Sequence, residues 1–574
     1  MLSSKGHTPG SAAVTASNVL LFIQAVLLVW GCVWFAYGLD AAVLDTKNYD
    51  YCLHGVALVF LANIVYALRD MRERMLFMFL HLGVALFILS RPLIGYWNPA
   101  INWMFDRPDV TRFTMIALFL SLTAMFLGTA TYSFIAKRNA NVRAERSKRR
   151  VNVVRSDVSS MRRVGERVRD AFASDRWEYL RYAALLCFML CLCGAYMEGA
   201  LKLSHMSGLS YEDYYLTSTS EYVPWPVSVL ATMCPFAFCG YLATMPKRTP
   251  ATIAMVLFVA TSVPMLMIGS RGDFVLDVLF CALYYVLRSL TDRDDPWIGR
   301  REIIAAVIVI PVGIFAMGIL NYTRSGQVVD PQGFTATILD AFYKQGVSYA
   351  VLGFGYEVNP YIQALGFKFF TIGSFIMNFT QNSIGQIIGF EQLGDSNSTL
   401  LALHGNSYAH TMSFFAHPNY LGGEGYGSSY ILELFADFGY PGVFIGSYAI
   451  GFIFAAMAMA IGRTWFGGMI ALNGALYIFH MPRGSAIEFI SFIWTTRFIF
   501  AIVLVIVVAF LLKLTSAKIP DVASWRARIV KDRSISAVEQ ASSVAVVSGK
   551  SEISCVESAR RIQVVSARSR VRNV

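Results

Sequence analysis

The chain has 574 residues, of which 56% are hydrophobic and only 15% charged. A soluble globular protein carries about 25% charged residues, so the composition excludes a string of soluble domains and predicts an all-α polytopic integral membrane protein. The net charge of +11 is concentrated in residues 137–181, with 14 Lys/Arg against 6 Asp/Glu, and residues 513–574, with 12 against 5. Neither segment interleaves its basic residues with aromatic stacking platforms. That argues against a nucleic-acid partner and for cytoplasmic segments facing anionic membrane lipids.

In chain order, apolar runs of about 18 residues or more fall near 18–38, 51–68, 75–95, 112–136, 182–202, 224–244, 251–269, 274–290, 302–320, 441–462, 464–481 and 486–512. These predict about 12 transmembrane helices and six regions. Four spans occupy 1–136, a basic cytoplasmic loop 137–181, five spans 182–320, a large periplasmic loop 321–440, three spans 441–512, and a basic cytoplasmic tail 513–574. Lys and Arg concentrate in cytoplasmic loops, and one register satisfies this. With both termini inside, the inner loops hold Arg69, Arg72, Arg74, the 137–181 cluster, Lys247, Arg248, Arg288, Arg293, Arg300, Arg301 and Arg463. The outer loops hold Asp40, Asp45, Asp50, Glu212, Asp213 and Glu221. Most of the nine cysteines lie in apolar runs without CxxC or zinc spacing, so neither a disulfide framework nor a metal site is expected.

The 321–440 segment is far longer than a connection requires and too aromatic for disorder. Phe334, Ile338, Leu339 and Phe342 recur at helical spacing, which predicts a helix on the membrane surface. The stretch 361–378, nearly apolar apart from Lys368, reads as re-entrant. Were it to span, the basic tail would lie outside. Beyond about 518 the chain is read as mostly disordered, with a short basic surface helix near 523–533.

Four outer-face features carry candidate chemistry. Gly269-Ser270-Arg271-Gly272-Asp273 puts an arginine in a tight turn between two spans. Asn321-Tyr322-Thr323-Arg324-Ser325-Gly326 lies where another span exits, and Met481-Pro482-Arg483-Gly484 repeats the pattern, followed by Glu488. Arginine stays charged and matches phosphate oxygens with a planar fork, and three of them at one bilayer depth suit a lipid-borne pyrophosphate. The fourth feature runs from His404 to Asn419 and includes His410 and His417. It continues through Gly425, Gly427 and Ser428 into a predicted helix whose Glu433 and Asp437, four apart, share one face. A histidine or carboxylate there is placed to take a proton from a sugar hydroxyl. No HExxH pattern or compact ligand pair accompanies the histidines, so no metal is assigned.

The order of these elements resembles the bacterial O-antigen polymerase family, the Wzy-type membrane polymerases that join lipid-linked oligosaccharide repeat units. The resemblance is carried by Ser270-Arg271-Gly272, Tyr322-x-Arg324, His410-x-x-Ser413-Phe414 and Gly425-Tyr426-Gly427-Ser428-Ser429-Tyr430-Ile431-Leu432-Glu433-Leu434, across roughly 265–485. Ala416-His417-Pro418-Asn419-Tyr420-Leu421 is similar to the related O-antigen ligases.

The resemblance implies a glycosyltransferase of the bacterial inner membrane, working on the periplasmic face without metal or other cofactor. Its donor would be an undecaprenyl-pyrophosphate-linked oligosaccharide, and a polysaccharide chain-length regulator is a candidate partner. Arg271, Arg324 and Arg483 would bind the pyrophosphate, and Glu433 or His410 would be the base or acceptor-positioning group. Tyr322, His417, Asn419, Gly425, Gly427 and Ser428 would contact substrate. Three alternatives stand beside it: an O-antigen ligase transferring glycan to lipid A core, a different fold family of lipid-sugar transferases with acidic residues in the first outer loop, where this chain has Asp40, Asp45 and Asp50, and a lipid-linked glycan flippase or transporter. Against the flippase, the spans hold few charges, Asp277 and Arg497 among them, and no internal repeat.

Overall fold

A computed structural model describes residues 11–98, 101–153, 161–205, 222–292, 296–308, 313, 334–366, 368–394 and 396–516. Tyr322 and Arg324, most of the 302–320 span, the 206–221 outer connection with Glu212, Asp213 and Glu221, Arg293, and the tail with its 523–533 helix all lie outside the described residues. Met1–Val507 forms one compact unit. Of the second, Val508–Val574, the described residues are the end of the last helix.

The described residues form helices and no strand, as a bilayer requires of an open chain that must satisfy its own backbone. In order they are α1 (Ser11–Ala41), α2 (Tyr49–Arg69), α3 (Met75–Val84), a π turn (Ala85–Leu89) leading to α4 (Ser90–Trp97), α5 (Pro108–Val153), α6 (Met161–His205) and α7 (Trp225–Leu242). Next come α8 (Arg248–Ala260), α9 (Val263–Ile268), α10 (Gly272–Thr291), α11 (Phe334–Gln345), α12 (Val347–Ala364), α13 (Gly373–Thr380), α14 (Ser383–Ile388), α15 (Thr399–His404) and α16 (Tyr408–Ala416). The chain closes with α17 (Tyr430–Ala460), α18 (Trp465–Ile478), α19 (Glu488–Ser491) and α20 (Thr496–Ser516).

Among the described residues, ten helical segments are long and apolar enough to cross a membrane, each overlapping an expected span. The run at 464–481 is shorter as a helix, Trp465–Ile478. The basic 137–181 segment is helical over 137–153 and 161–181, continuing α5 and leading into α6.

Small residues let the spans approach closely, the usual basis of helix association where lipid offers no hydrophobic drive. A methyl at Gly128 on α5 would overlap the Tyr448 carbonyl of α17, and one at Gly451 would overlap the Met125 carbonyl. Thr129 Oγ1 donates to Gly451 O at 3.0 Å in the same seam. Nearer the start of α17, Ser447 Oγ donates to Ser121 Oγ at 2.9 Å, and Ser121 Oγ meets Tyr430 Oη at 2.8 Å. The start of α17 is thus fixed against α5.

Two boundaries differ from the sequence reading. The run expected to span from 441 begins as α17 at Tyr430 and is broken at Gly439 (φ 62°, ψ −156°) ahead of Pro441, where glycine tolerates the positive φ and proline removes a donor. The last span, expected from 486, begins at Thr496. Residues before it fold as α19 and a 3₁₀ turn, because Phe489 and Phe492 are buried in the protein interior (1% and 5% exposed) rather than turned to lipid. Between α12 and α13 the chain turns through Gly366 (φ +89°), so 361–378 is not a continuous helix.

Candidate functional site

The first turn of α17 organises the site. Gly427 adopts φ +81°, Ser428 and the N-cap Ser429 follow, and Glu433 points back from the first helical turn, where an N-terminus favours a carboxylate. Glu433 is 3% exposed. Its Oε1 accepts from Ser428 Oγ at 2.9 Å, and its Oε2 accepts from Ser485 Oγ at 2.9 Å and from the Ala486 N–H at 2.8 Å. Ser374 Oγ donates to Ser485 Oγ at 2.7 Å, extending the network to α13. One turn on, Asp437 accepts the N–H groups of Phe370 and Thr371 at 3.0 and 2.7 Å, while Thr371 Oγ1 donates to Glu433 O at 3.3 Å. The shared face of Glu433 and Asp437 is therefore real. It fastens two loops, 370–374 and 484–486, to α17.

This clasp sets the Arg483 turn. Met481–Arg483 is a single 3₁₀ turn following α18, with the Arg483 N–H donating to His480 O at 2.7 Å. The Arg483 carbonyl lies 3.6 Å from where a Cβ of Gly427 would stand. Arg483, Gly427, Ser428 and Glu433 come together at one point. The Arg271 turn is built differently. Gly269 (φ +107°) ends α9 with the Ser270 N–H bonded to Met265 O at 2.9 Å, and Arg271 occupies the N-cap position of α10. The two turns flank neighbouring helices, since α10, which follows Arg271, packs against α18, which precedes Arg483.

The histidine-rich stretch forms a second group, joined to the first through Tyr426. His417 Nε2 is 3.3 Å from Glu424 Oε2, Asn419 Nδ2 donates to Glu424 Oε1 at 3.1 Å, and the Asn419 N–H donates to His417 Nδ1 at 3.2 Å. The His417 ring meets Tyr426 edge-on at 4.6 Å, and the Tyr426 N–H donates to Ser413 Oγ at 3.0 Å beside Gly425. His410 Nδ1 contacts Tyr420 Oη at 3.0 Å, and burial lowers its pKa, which favours the neutral ring. Lys368 caps the end of α15 by donating to Gly405 O at 3.1 Å, and burial lowers its pKa too. Among the described residues no three His, Cys, Asp or Glu side chains are grouped as a metal-binding set.

The sequence reading singled out neither Ser485 and Ala486, which hold Glu433, nor Glu424, which holds His417. The trace it left unused was the run Gly484-Ser485-Ala486, small residues directly after an arginine. A family model described as O-antigen polysaccharide polymerase Wzy matches residues 19–515. No curated protein and no solved structure matches the chain.

Proposed function

The chain belongs to the O-antigen polysaccharide polymerase Wzy family, and we propose that it joins undecaprenyl-pyrophosphate-linked repeat units on the periplasmic face of a bacterial inner membrane. The observation that carries this reading at the level of the site is the clasp from Glu433 to the Arg483 turn. A buried carboxylate with three donors holds the backbone directly after Gly484, at Ser485 and Ala486, and so anchors the turn from which the guanidinium starts. Pre-set positive charge accelerates a reaction in which a pyrophosphate departs, because it needs no reorganisation as the charge develops.

In this reading Arg483 and Arg271, with Arg324, hold the donor pyrophosphate. Glu433 is the acceptor-positioning group acting through the Ser428 and Ser485 hydroxyls, and His410, His417 and Asn419 line the glycan side with Tyr322, Gly425 and Gly427. The glycosyl pyrophosphate is already activated, so arginines suffice for the leaving group and no nucleotide enters.

The test is the lipopolysaccharide profile of a strain lacking this gene, complemented with wild type and with Arg483→Ala. A ladder that collapses to a single repeat on core, restored by wild type and not by the variant, supports the polymerase and the arginine. Loss of all repeats from core while lipid-linked polymer accumulates identifies a ligase instead, the reading that the 416–421 segment would favour. A lipid-linked repeat that stays on the cytoplasmic face identifies a flippase.

A further inference from the structure

A group that accepts a proton from an incoming hydroxyl needs a free lone pair and an open approach. Glu433 lacks the approach: it is buried, and three donors already take most of the lone-pair sites on its two oxygens. The next carboxylate is Glu488, at the start of α19 and half-buried. Among the described residues no Lys or Arg forms an ion pair with it. Between the two carboxylates runs Gly484.

Gly484 has ordinary extended backbone (φ −130°, ψ −165°), so its conformation does not call for glycine. Space does. A Cβ there would stand 2.8 Å from Glu488 Oε2, 3.2 Å from His480 Nδ1 and 3.4 Å from His480 O. The missing side chain lets the Glu488 carboxylate and the His480 ring close against the turn, with Arg483 the adjoining residue. His480 packs edge-on to Phe87 at 5.8 Å, and neither ring nitrogen has a hydrogen-bond partner among the described residues.

We infer that Glu488, with His480 beside it, is the group that takes the proton from the acceptor hydroxyl, and that Gly484 lacks a side chain so that this carboxylate can lie against the Arg483 turn. The inference rests on the polymerase reading and moves the base away from Glu433 and His410. The acceptor oxygen forms a bond to the anomeric carbon of the donor. The bond from that carbon to the pyrophosphate oxygen breaks, and its electron pair leaves with the lipid pyrophosphate next to Arg483. The acceptor proton passes to a Glu488 carboxylate oxygen. The products are the lengthened glycan and the free lipid pyrophosphate, with nothing further consumed.

The test uses the full chain in membranes from a strain deleted for the gene, supplied with that strain's own lipid-linked repeat. Rate and KM are measured at matched protein levels for wild type, Glu488→Gln, Glu488→Asp, His480→Gln and Gly484→Ala. Loss of a general base costs about 10²–10⁴-fold in rate. Glu488→Gln is expected to lose at least about 100-fold in kcat with KM within about threefold, while Glu488→Asp regains part of the rate. Gly484→Ala is expected to fold, because its Cβ presses on movable side-chain ends rather than on a packed backbone, and to lose about tenfold.

A Glu488→Gln rate within about threefold of wild type overturns the inference. Should that variant fail to accumulate, Glu488→Asp decides: an acidic limb of its pH–rate profile unmoved from wild type also overturns it. Wild-type membranes that transfer repeats to lipid A core without joining them defeat the polymerase reading alone, since the same variants then test Glu488 in the transfer reaction. Wild-type membranes that do neither defeat both.

Discussion

The two arginine turns look alike in sequence, Ser270-Arg271-Gly272 and Pro482-Arg483-Gly484, yet they are held by different means. The Arg271 turn is a helix cap closed by its own chain, and a Cβ at Gly272 would meet nothing within 4 Å. The Arg483 turn is pinned from outside by Glu433 of α17, through Ser485 and the Ala486 N–H, and its glycine is walled by Glu488 and His480. A cation on a turn fixed by a distant helix is organised before substrate arrives. One on a local cap owes its position to the cap and whatever it grips. Only the first arrangement is suited to act chiefly in the transition state.

The largest effect that would break this contrast is in the arginines themselves. Arg483→Ala is expected to lower kcat by about 10²–10³-fold with little change in KM, whereas Arg271→Ala raises KM more than it lowers kcat. Lysine should fail nearly as badly as alanine at both positions if each contact is bidentate. Steady-state rates on lipid-linked repeats read this directly. Equal kcat losses at the two arginines would remove the distinction, and normal polymer from Arg271→Lys would refute the bidentate geometry.

Next is the clasp. Glu433→Ala leaves the Ser428 and Ser485 hydroxyls and the Ala486 N–H without their acceptor, and each buried orphan costs about 1–3 kcal/mol. The variant should melt earlier and lose polymerisation by about 10–100-fold. Glu433→Gln keeps one acceptor oxygen but turns an amide N–H₂ toward existing donors, so it should fall between the two. The melting midpoint and rate of the purified chain check both. A Glu433→Ala protein of unchanged stability and full rate would show that the Arg483 turn holds its own shape.

How much of this was readable in advance depends on whether side-chain pattern or backbone carries the feature. Ten spans were legible because each is a long apolar run, and the shared face of Glu433 and Asp437 followed from a spacing of four. The clasp was not legible, since its key donor is the main-chain N–H of Ala486, which has no signature in residue type. Glu488 was noticed after Arg483 but given no role, because the apolar run around it reads as the start of a span. Phe489 and Phe492 are apolar for the protein's core, and hydropathy does not separate core from lipid. The break in α17 escaped because Gly439 and Pro441 only mark where a span could begin, and the helix resumes on both sides.

A third effect is in pH. Burial holds Glu488 above the ordinary carboxylate range, while burial and the Arg483 charge hold His480 down at about 4. The groups around Glu488 are Glu433 in the clasp, His480 and Tyr477 from the α18 side, Arg483, and, near Tyr477, Asp273 and Asp277 of α10. His480 stays neutral through the physiological range and does not titrate there. A base acts when ionised, so the rate should drop about tenfold per unit as pH falls through the Glu488 value. Because that value is raised, the limb should lie above the ~4.3 of a free glutamic acid. Glu488→Gln should remove the limb and leave a small, flat residual rate. The same limb persisting in Glu488→Gln would assign it to another of those groups.

The smallest effect separates the glycines. Gly272 opens α10 with no atom near its missing Cβ and no positive φ, so Gly272→Ala should leave the ladder intact and change stability by no more than about 1 kcal/mol, toward stabilisation, because alanine has less freedom to lose on folding. Gly269 sits at φ +107°, where an L side chain is strained, and Gly269→Ala should cost about 1–2 kcal/mol. The melting midpoint should fall while the rate per folded molecule holds. Gly484 needs room rather than φ, so Gly484→Ala should show the opposite pairing, a nearly unchanged midpoint and a reduced rate. Three alanines then distinguish three reasons for glycine. A Gly272→Ala chain that melts normally but makes no polymer would show that the open side of the Arg271 turn is occupied by substrate, bringing the two turns back into a single role.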